Sequence, residues 1–135
     1  MKVVLDASAG AEISAKTQRG IDFINILMNA DPVIAPDLYI AEISNVMWKL
    51  SRRDKANTEI YYNKACDCVD CVDEFVSSGE LWKDALRIGQ EYDHPVYDML
   101  YAALAKREGA ALLTMDAALQ KICSKLSIST IGFNV

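Results

Sequence analysis

Histidine occurs once in the 135 residues, as His94, and cysteine four times, so the usual ligands for zinc are scarce. Cys66, Cys68 and Cys71 fall in one stretch that reads as helix, where neighbouring cysteines cannot easily reach disulfide geometry, and Cys123 stands apart. No paired Cys or His motif completes a four-ligand site, so the expected state is reduced thiols, some packed as small hydrophobes. An unbroken apolar run of about 20 residues is also missing, which argues against a transmembrane helix. Met1-Lys2 is followed only by Val3-Val4-Leu5 before Asp6, too short for the apolar region of a signal peptide. A soluble, cytoplasmic protein is expected. Repeats, low-complexity segments and linkers are absent, and residues 1–135 are expected to form one domain.

Basic charge is short as well. The net charge is −5, and phosphate binding usually shows as a basic excess, so charge taken alone argues against a nucleic-acid partner. That argument weakens if several carboxylates are metal ligands, because the ion then neutralises them. What the chain does have is an apolar fraction of 52%, enough for a buried core.

Val3-Val4-Leu5 reads as a buried strand leading into a loop at Asp6, Ser8 and Gly10. Ile21, Ile24, Leu27 and Met28 recur at helical spacing, and Val33-Ile34-Ala35 makes a second strand after Asp31-Pro32. Asp37 reads as the N-cap of a helix through Leu50, ending in the basic cluster Arg52, Arg53 and Lys55. Asn57 is expected to cap a long helix through Tyr61, Ala65, Cys68, Val72 and Phe75, stopped near Gly79, with a short helix from Lys83 to Tyr92. His94-Pro95 breaks the chain, Val96 to Arg107 is helical, and Gly109 follows as its C′ residue. Ala111 to Thr114 is a strand, Ala117 to Lys125 a helix, and Ile128 to Ile131 a last strand. Strands separated by helices and apolar throughout predict an α/β sandwich with a mostly parallel central sheet. The two helices between Asn57 and Tyr92, with no strand between them, would form a helical outgrowth.

In open α/β sheets, ligands bind beyond the carboxyl ends of the strands. Asp6 directly follows the first strand, and Asp116 lies two residues beyond Thr114. Glu42 and Asp98 lie in the first turns of their helices, which approach the same rim. Four distant segments would thus deliver four carboxylates to one edge. Four carboxylates make six pairs, and at about 6 Å with an effective dielectric near 20 each pair costs roughly 3 kcal/mol. A domain stable by about 5–15 kcal/mol cannot carry that unaided, so the acids either protonate or hold a cation. Oxygen ligation favours Mg²⁺ or Mn²⁺ over zinc. The bland alternative is that acids near helix starts merely favour the helix dipole, which would explain Glu42 or Asp98 alone.

Four stretches carry a resemblance. Val3-Val4-Leu5-Asp6-Ala7-Ser8, Ala41-Glu42-Ile43-Ser44-Asn45-Val46, Tyr97-Asp98-Met99-Leu100-Tyr101-Ala102-Ala103-Leu104-Ala105 and Leu112-Leu113-Thr114-Met115-Asp116 look like the four acidic motifs of PIN domains. The third, preceded by His94-Pro95-Val96, is especially similar to VapC-type toxins. The motifs span nearly the whole chain in the family's order. The resemblance implies a PIN-like three-layer sandwich, a Mg²⁺- or Mn²⁺-dependent endoribonuclease, a homodimer and a VapB-like antitoxin partner. It implies Asp6, Glu42, Asp98 and Asp116 as the catalytic and metal-binding set, with Ser8 and Thr114 in support. Gly10 to Gln18 is more polar than the helix that usually follows the first motif, and Cys66 to Cys71 lie outside the pattern.

Asn45, one turn from Glu42, would point into the site or bond locally. Lys49, Arg52, Arg53 and Lys55 would follow an RNA backbone or form a solvated helix end. Tyr97 and Tyr101 would stack on bases or, more in keeping with their helical spacing, serve as core or dimer contacts. His94 is a poor general base, because the His-Pro turn explains it structurally. A haloacid-dehalogenase-like enzyme resembles only the opening and wants a second Asp where Ser8 stands; a receiver domain wants an early acidic pair. The remaining alternatives are an RNA-processing PIN nuclease outside a toxin–antitoxin pair and a catalytically inactive PIN-fold binding module.

Overall fold

The computed structural model describes residues 1–132. Five short strands form one wholly parallel sheet: β1 (Val3–Leu5), β2 (Val33–Pro36), β3 (Glu74–Val76), β4 (Ala111–Leu113) and β5 (Thr130–Ile131), in the order β3-β2-β1-β4-β5. Residues of β1 and β2 are buried throughout, as parallel strands covered on both faces must be.

The helices are α1 (Ala7–Ala15), α2 (Gln18–Met28), α3 (Leu38–Arg53), α4 (Thr58–Asp70), α5 (Ser78–Tyr92), α6 (Val96–Glu108) and α7 (Ala117–Lys125). Helix α6 packs on β1, β2 and β4, with α5 along its side, and Met99 through Ala105 are all buried. Helix α4 packs on α3 and α1. Tyr39 anchors that group from within the core, its hydroxyl donating to the Cys68 carbonyl at 2.7 Å.

Four local expectations need correction. Residues after Asp6 are the helix α1, not a loop; its Ala-rich sequence carries little amphipathic pattern, and the Asp6 side chain caps it by accepting from the Ala9 N–H. The long helix expected to reach Phe75 stops at Asp70, and β3 lies between α4 and α5. Its residues Glu74 and Phe75 are exposed because β3 edges the sheet, so no apolar run advertised the strand. Gly79 does not stop a helix but lies in the first turn of α5, which starts at Ser78. Asp37 makes no side-chain cap on α3; its Oδ1 accepts from the backbone N–H and hydroxyl of Ser78, at 3.2 and 2.6 Å.

Among the described residues no helix is long and apolar enough to cross a membrane. The described cysteines are free, with Cys68 and Cys123 buried, Cys66 exposed and Cys71 half-buried.

Candidate active site

The chain runs from β1 outward through β2 to β3, then returns to place β4 on the other side of β1. That reversal leaves a crevice beyond the carboxyl ends of β1 and β4, where parallel sheets bind ligands. Asp6 and Asp116 follow those two strands. Glu42 arrives from α3 and Asp98 from the first turn of α6. All four line one cavity of about 310 Å³, together with Ala7, Ser8, Asn45, Val46, Lys49 and Tyr101.

Asp6 is the most enclosed of the four, with 4% of its surface exposed. Its Oδ1 accepts from the Ser8 hydroxyl at 2.6 Å and the Ala9 N–H at 2.9 Å. Its Oδ2 accepts from the hydroxyl of Thr114, itself wholly buried. Thr114 in turn accepts from the Asp116 N–H at 3.0 Å, and Ser8 from the Met115 N–H at 2.8 Å. Two hydroxyls therefore lace the end of β1 to the end of β4, and Asp116 caps α7 by accepting from the Leu119 N–H at 3.1 Å. Glu42 accepts the phenolic proton of Tyr101 at Oε1, 2.6 Å away.

The electrostatics agree with a crowded anionic pocket. Burial pushes the Asp6 carboxyl up to about 6, against the opposing pull of the Ser8, Thr114 and Ala9 bonds, and the Asp116 charge adds to the rise. Glu42 is raised by burial and by Asp98, with the Tyr101 bond opposing. Asp98 is raised by burial and by Asp116, while His94 lowers it. Burial, followed by its bond to Glu42, drives the Tyr101 phenol far above its ordinary value, so it remains a donor.

Among the ion pairs of the described residues, only one touches the four acids: His94 Nε2 lies 3.8 Å from Asp98 Oδ2, an attraction present only when the imidazole is protonated. This excess of negative oxygen suits a hard divalent cation in ligand type and charge. Among the described residues, no three His, Cys, Asp or Glu side chains stand close enough to share one ion in this arrangement. Asp6 and Asp116 each have one oxygen engaged as a helix cap.

Of the other residues singled out from sequence, Asn45 and Lys49 reach the cavity. Lys49 also borders a neighbouring hollow with Arg52 and Arg53, and the Arg52 guanidinium lies 4.8 Å over the Trp48 ring. Lys55 is not in either lining; it sits in the 3-10 turn after α3. Tyr97 is 68% exposed, whereas Tyr101 is buried and reaches Glu42. Sequence reasoning assigned no such contact to Tyr101, although its place one turn after Asp98 puts both on the same side of α6.

Comparison with known proteins meets this geometry. The PIN domain profile matches residues 3–125. Ribonuclease VapC3 from Pyrobaculum aerophilum is 31% identical over 122 residues, covering 86% of this chain and 90% of that protein. The crystal structure of PAE2754 from Pyrobaculum aerophilum superposes with a TM-score of 0.74 at 20% identity, covering 90% of this chain and 84% of that one. VapBC2 from Rickettsia felis, solved bound to a DNA fragment from its promoter, gives 0.69 at 13% identity, over 99% of this chain and 100% of that one. The chain belongs to the PIN domain family, and its likeness is to VapC-type members.

Proposed function

We propose that the protein is a divalent-metal-dependent endoribonuclease, and the toxin of a type II VapBC-like pair. The observation that carries the chemistry is the convergence of Asp6, Glu42, Asp98 and Asp116 on one cavity, where the ion pair they make among the described residues is that of Asp98 with His94. RNA as substrate and a VapB-like antitoxin as partner rest on the succession of motifs and on the likeness to Ribonuclease VapC3. A homodimer is proposed on the same grounds.

No side chain in the cavity is a ready nucleophile; the Ser8 hydroxyl is committed to Asp6 and Met115. Hydrolysis by water therefore fits these residues best. A bound Mg²⁺ or Mn²⁺ would supply Lewis acidity toward a phosphate oxygen and toward water. Asp6, Glu42, Asp98 and Asp116 would hold it. Ser8 and Thr114 fix Asp6 in orientation, since each of its oxygens receives a hydroxyl proton. Asn45 can donate to a phosphate oxygen at the cavity wall, and Lys49 joins the cavity to Arg52 and Arg53 along α3. That line would carry the phosphates flanking the cut. Cleavage leaves a 5′-phosphate and a 3′-hydroxyl.

Defined single-stranded RNAs incubated with Mg²⁺ or Mn²⁺ test the reading. Cutting that stops with EDTA and is absent from Asp98→Asn is expected. Wild-type rates from Asp98→Asn in saturating Mn²⁺ would exclude it.

One observation favours a second reading, a PIN-fold binding module without activity: oxygens of Asp6 and Asp116 are engaged by the protein's own donors, and no three acids share a point. Thermal denaturation with Mn²⁺ together with the cleavage assay separates the two: a working site raises the melting temperature with the ion and cuts RNA, whereas a module whose acids hold no ion does neither.

A further inference from the structure

The Tyr101 ring lies inside the core, with 1% of the residue exposed, on a helix packed against β1, β2 and β4. A ring so enclosed is held by close packing, which places its hydroxyl at the cavity wall. Glu42 has the opposite character. It is half-exposed, and its flexible side chain faces the like charge of Asp98 across the cavity. Nothing on α3 holds its carboxylate inward. The one donor to it among the described residues is Tyr101, which binds Oε1 at 2.6 Å. Oε2 receives no hydrogen bond from them.

We propose that Tyr101 is the positioning residue for Glu42: its hydroxyl pins Oε1 and presents Oε2 to a divalent cation in the Asp6–Asp98–Asp116 cavity, an assignment that rests on the metal-dependent reading above. Because Tyr101 follows Asp98 by three positions, one rigid turn of α6 sets both the α6 acid and the orientation of the α3 acid. The spacing between the two ligands is thereby built into one helix rather than left to two mobile side chains. Tyr101 touches neither substrate nor ion and acts only through Glu42.

Tyr101→Phe keeps the ring and removes the hydroxyl. Its melting temperature in EDTA checks folding, and Mn²⁺ affinity is read by calorimetry on the metal-free protein without RNA. Partners of metal ligands typically set affinity by about tenfold to a hundredfold, so a loss of at least about tenfold is expected. Combining the change with Glu42→Gln should cause no further loss beyond Glu42→Gln alone. Wild-type affinity in Tyr101→Phe, or an equal loss in the Glu42→Gln background, would overturn the assignment while leaving the nuclease reading intact. Failure of the wild-type protein to bind Mn²⁺ would overturn both. RNA cleavage adds a second readout: kcat should fall with KM for RNA unchanged, and a raised KM alone would count against the proposal.

Discussion

The hydroxyl of Thr114, at the end of β4, donates to Oδ2 of Asp6, at the end of β1, across 108 positions of sequence. Both residues are buried, and the same oxygen of Thr114 accepts from the backbone N–H of Asp116. One side chain thus sets the two acids that flank the reversal in strand order.

Removing that hydroxyl should cost stability as well as metal binding. Thr114→Val preserves shape but leaves Asp6 Oδ2 and the Asp116 N–H without their partner, at about 1–3 kcal/mol for a buried group left unmade. Urea denaturation in EDTA near neutral pH should show a lower midpoint with an unchanged slope. Thr114→Ser, which keeps the oxygen, should recover most of the difference. A midpoint for the valine variant equal to that of wild type would show that the bond contributes nothing.

Asp6→Asn is expected to separate fold from activity. Asparagine can still accept from Ser8 and Ala9, and its amide can face Thr114, so the lacing of β1 to β4 survives. The buried negative charge does not. Cleavage should be lost, while the melting temperature in EDTA at pH 7.5 should equal or exceed that of wild type. A melting temperature several degrees lower would mean that the charge supports the fold.

The pH dependence of the metal-free protein follows from the same carboxyl. Burial raises Asp6 from its ordinary 3.8 to about 6, so between those values the folded state binds more protons than the unfolded state. Stability from this group is fully present below about pH 4 and is lost as pH rises through about 6. Glu42 and Asp98 are raised in the same direction. Between pH 4 and 7 in EDTA, the melting temperature of wild type should therefore fall relative to that of Asp6→Asn. Stabilisation by Mn²⁺ should grow over the same interval, since protons and the ion compete for one site. Parallel pH profiles for the two proteins would show that Asp6 is not raised.

The legible parts of this fold were those whose pattern was doubly determined. Val3-Val4-Leu5 ending in Asp6, and Leu112-Leu113-Thr114 leading to Asp116, announce both a buried parallel strand and an acid beyond it. Glu42 and Asp98 could be placed because each lies near the start of an apolar-rich helix that follows a break at Pro36 or Pro95. What stayed hidden depends on tertiary neighbours. Strand β3 pairs along the edge of β2 with Glu74 and Phe75 exposed, and Phe75 continues the helical spacing of Cys68 and Val72 before it. Gly10 suggested a turn, yet it is helical, and a Cβ there would lie 2.5 Å from the Tyr39 hydroxyl. The link from Tyr101 to Glu42 joins residues 59 apart, and only folding discloses it.

Gly10 itself yields a prediction. Alanine is the better helix former, so in a free helix Gly10→Ala would stabilise. Here the added methyl must push aside the Tyr39 hydroxyl and the Ile43 side chain, which it would approach at 2.5 and 3.2 Å. Tyr39 is held by its bond to the Cys68 carbonyl and cannot yield cheaply. Overpacking should win, with a loss of about 1–3 kcal/mol in urea denaturation. A stabilised Gly10→Ala would mean that α1, α3 and α4 have slack at their junction.

The basic residues on and just after α3 should divide by position rather than by charge. Lys49 borders both the acidic cavity and the hollow shared with Arg52 and Arg53, whereas Lys55 lines neither. Each phosphate neutralised on a single strand contributes about 0.7 to the slope of log affinity against log salt. Measured on Asp98→Asn to prevent cutting, Lys49→Ala and Arg53→Ala should each reduce that slope by roughly this amount and weaken binding without regard to base. Lys55→Ala should leave both unchanged. Arg52 adds a distinction, because its guanidinium rests on Trp48 and is held in place by it. Trp48→Ala should therefore weaken RNA binding while leaving the slope nearly intact, since the charge stays and only its placement loosens. Equal slopes for all of these variants would remove α3 from the path of the RNA and direct the search to another face of the cavity.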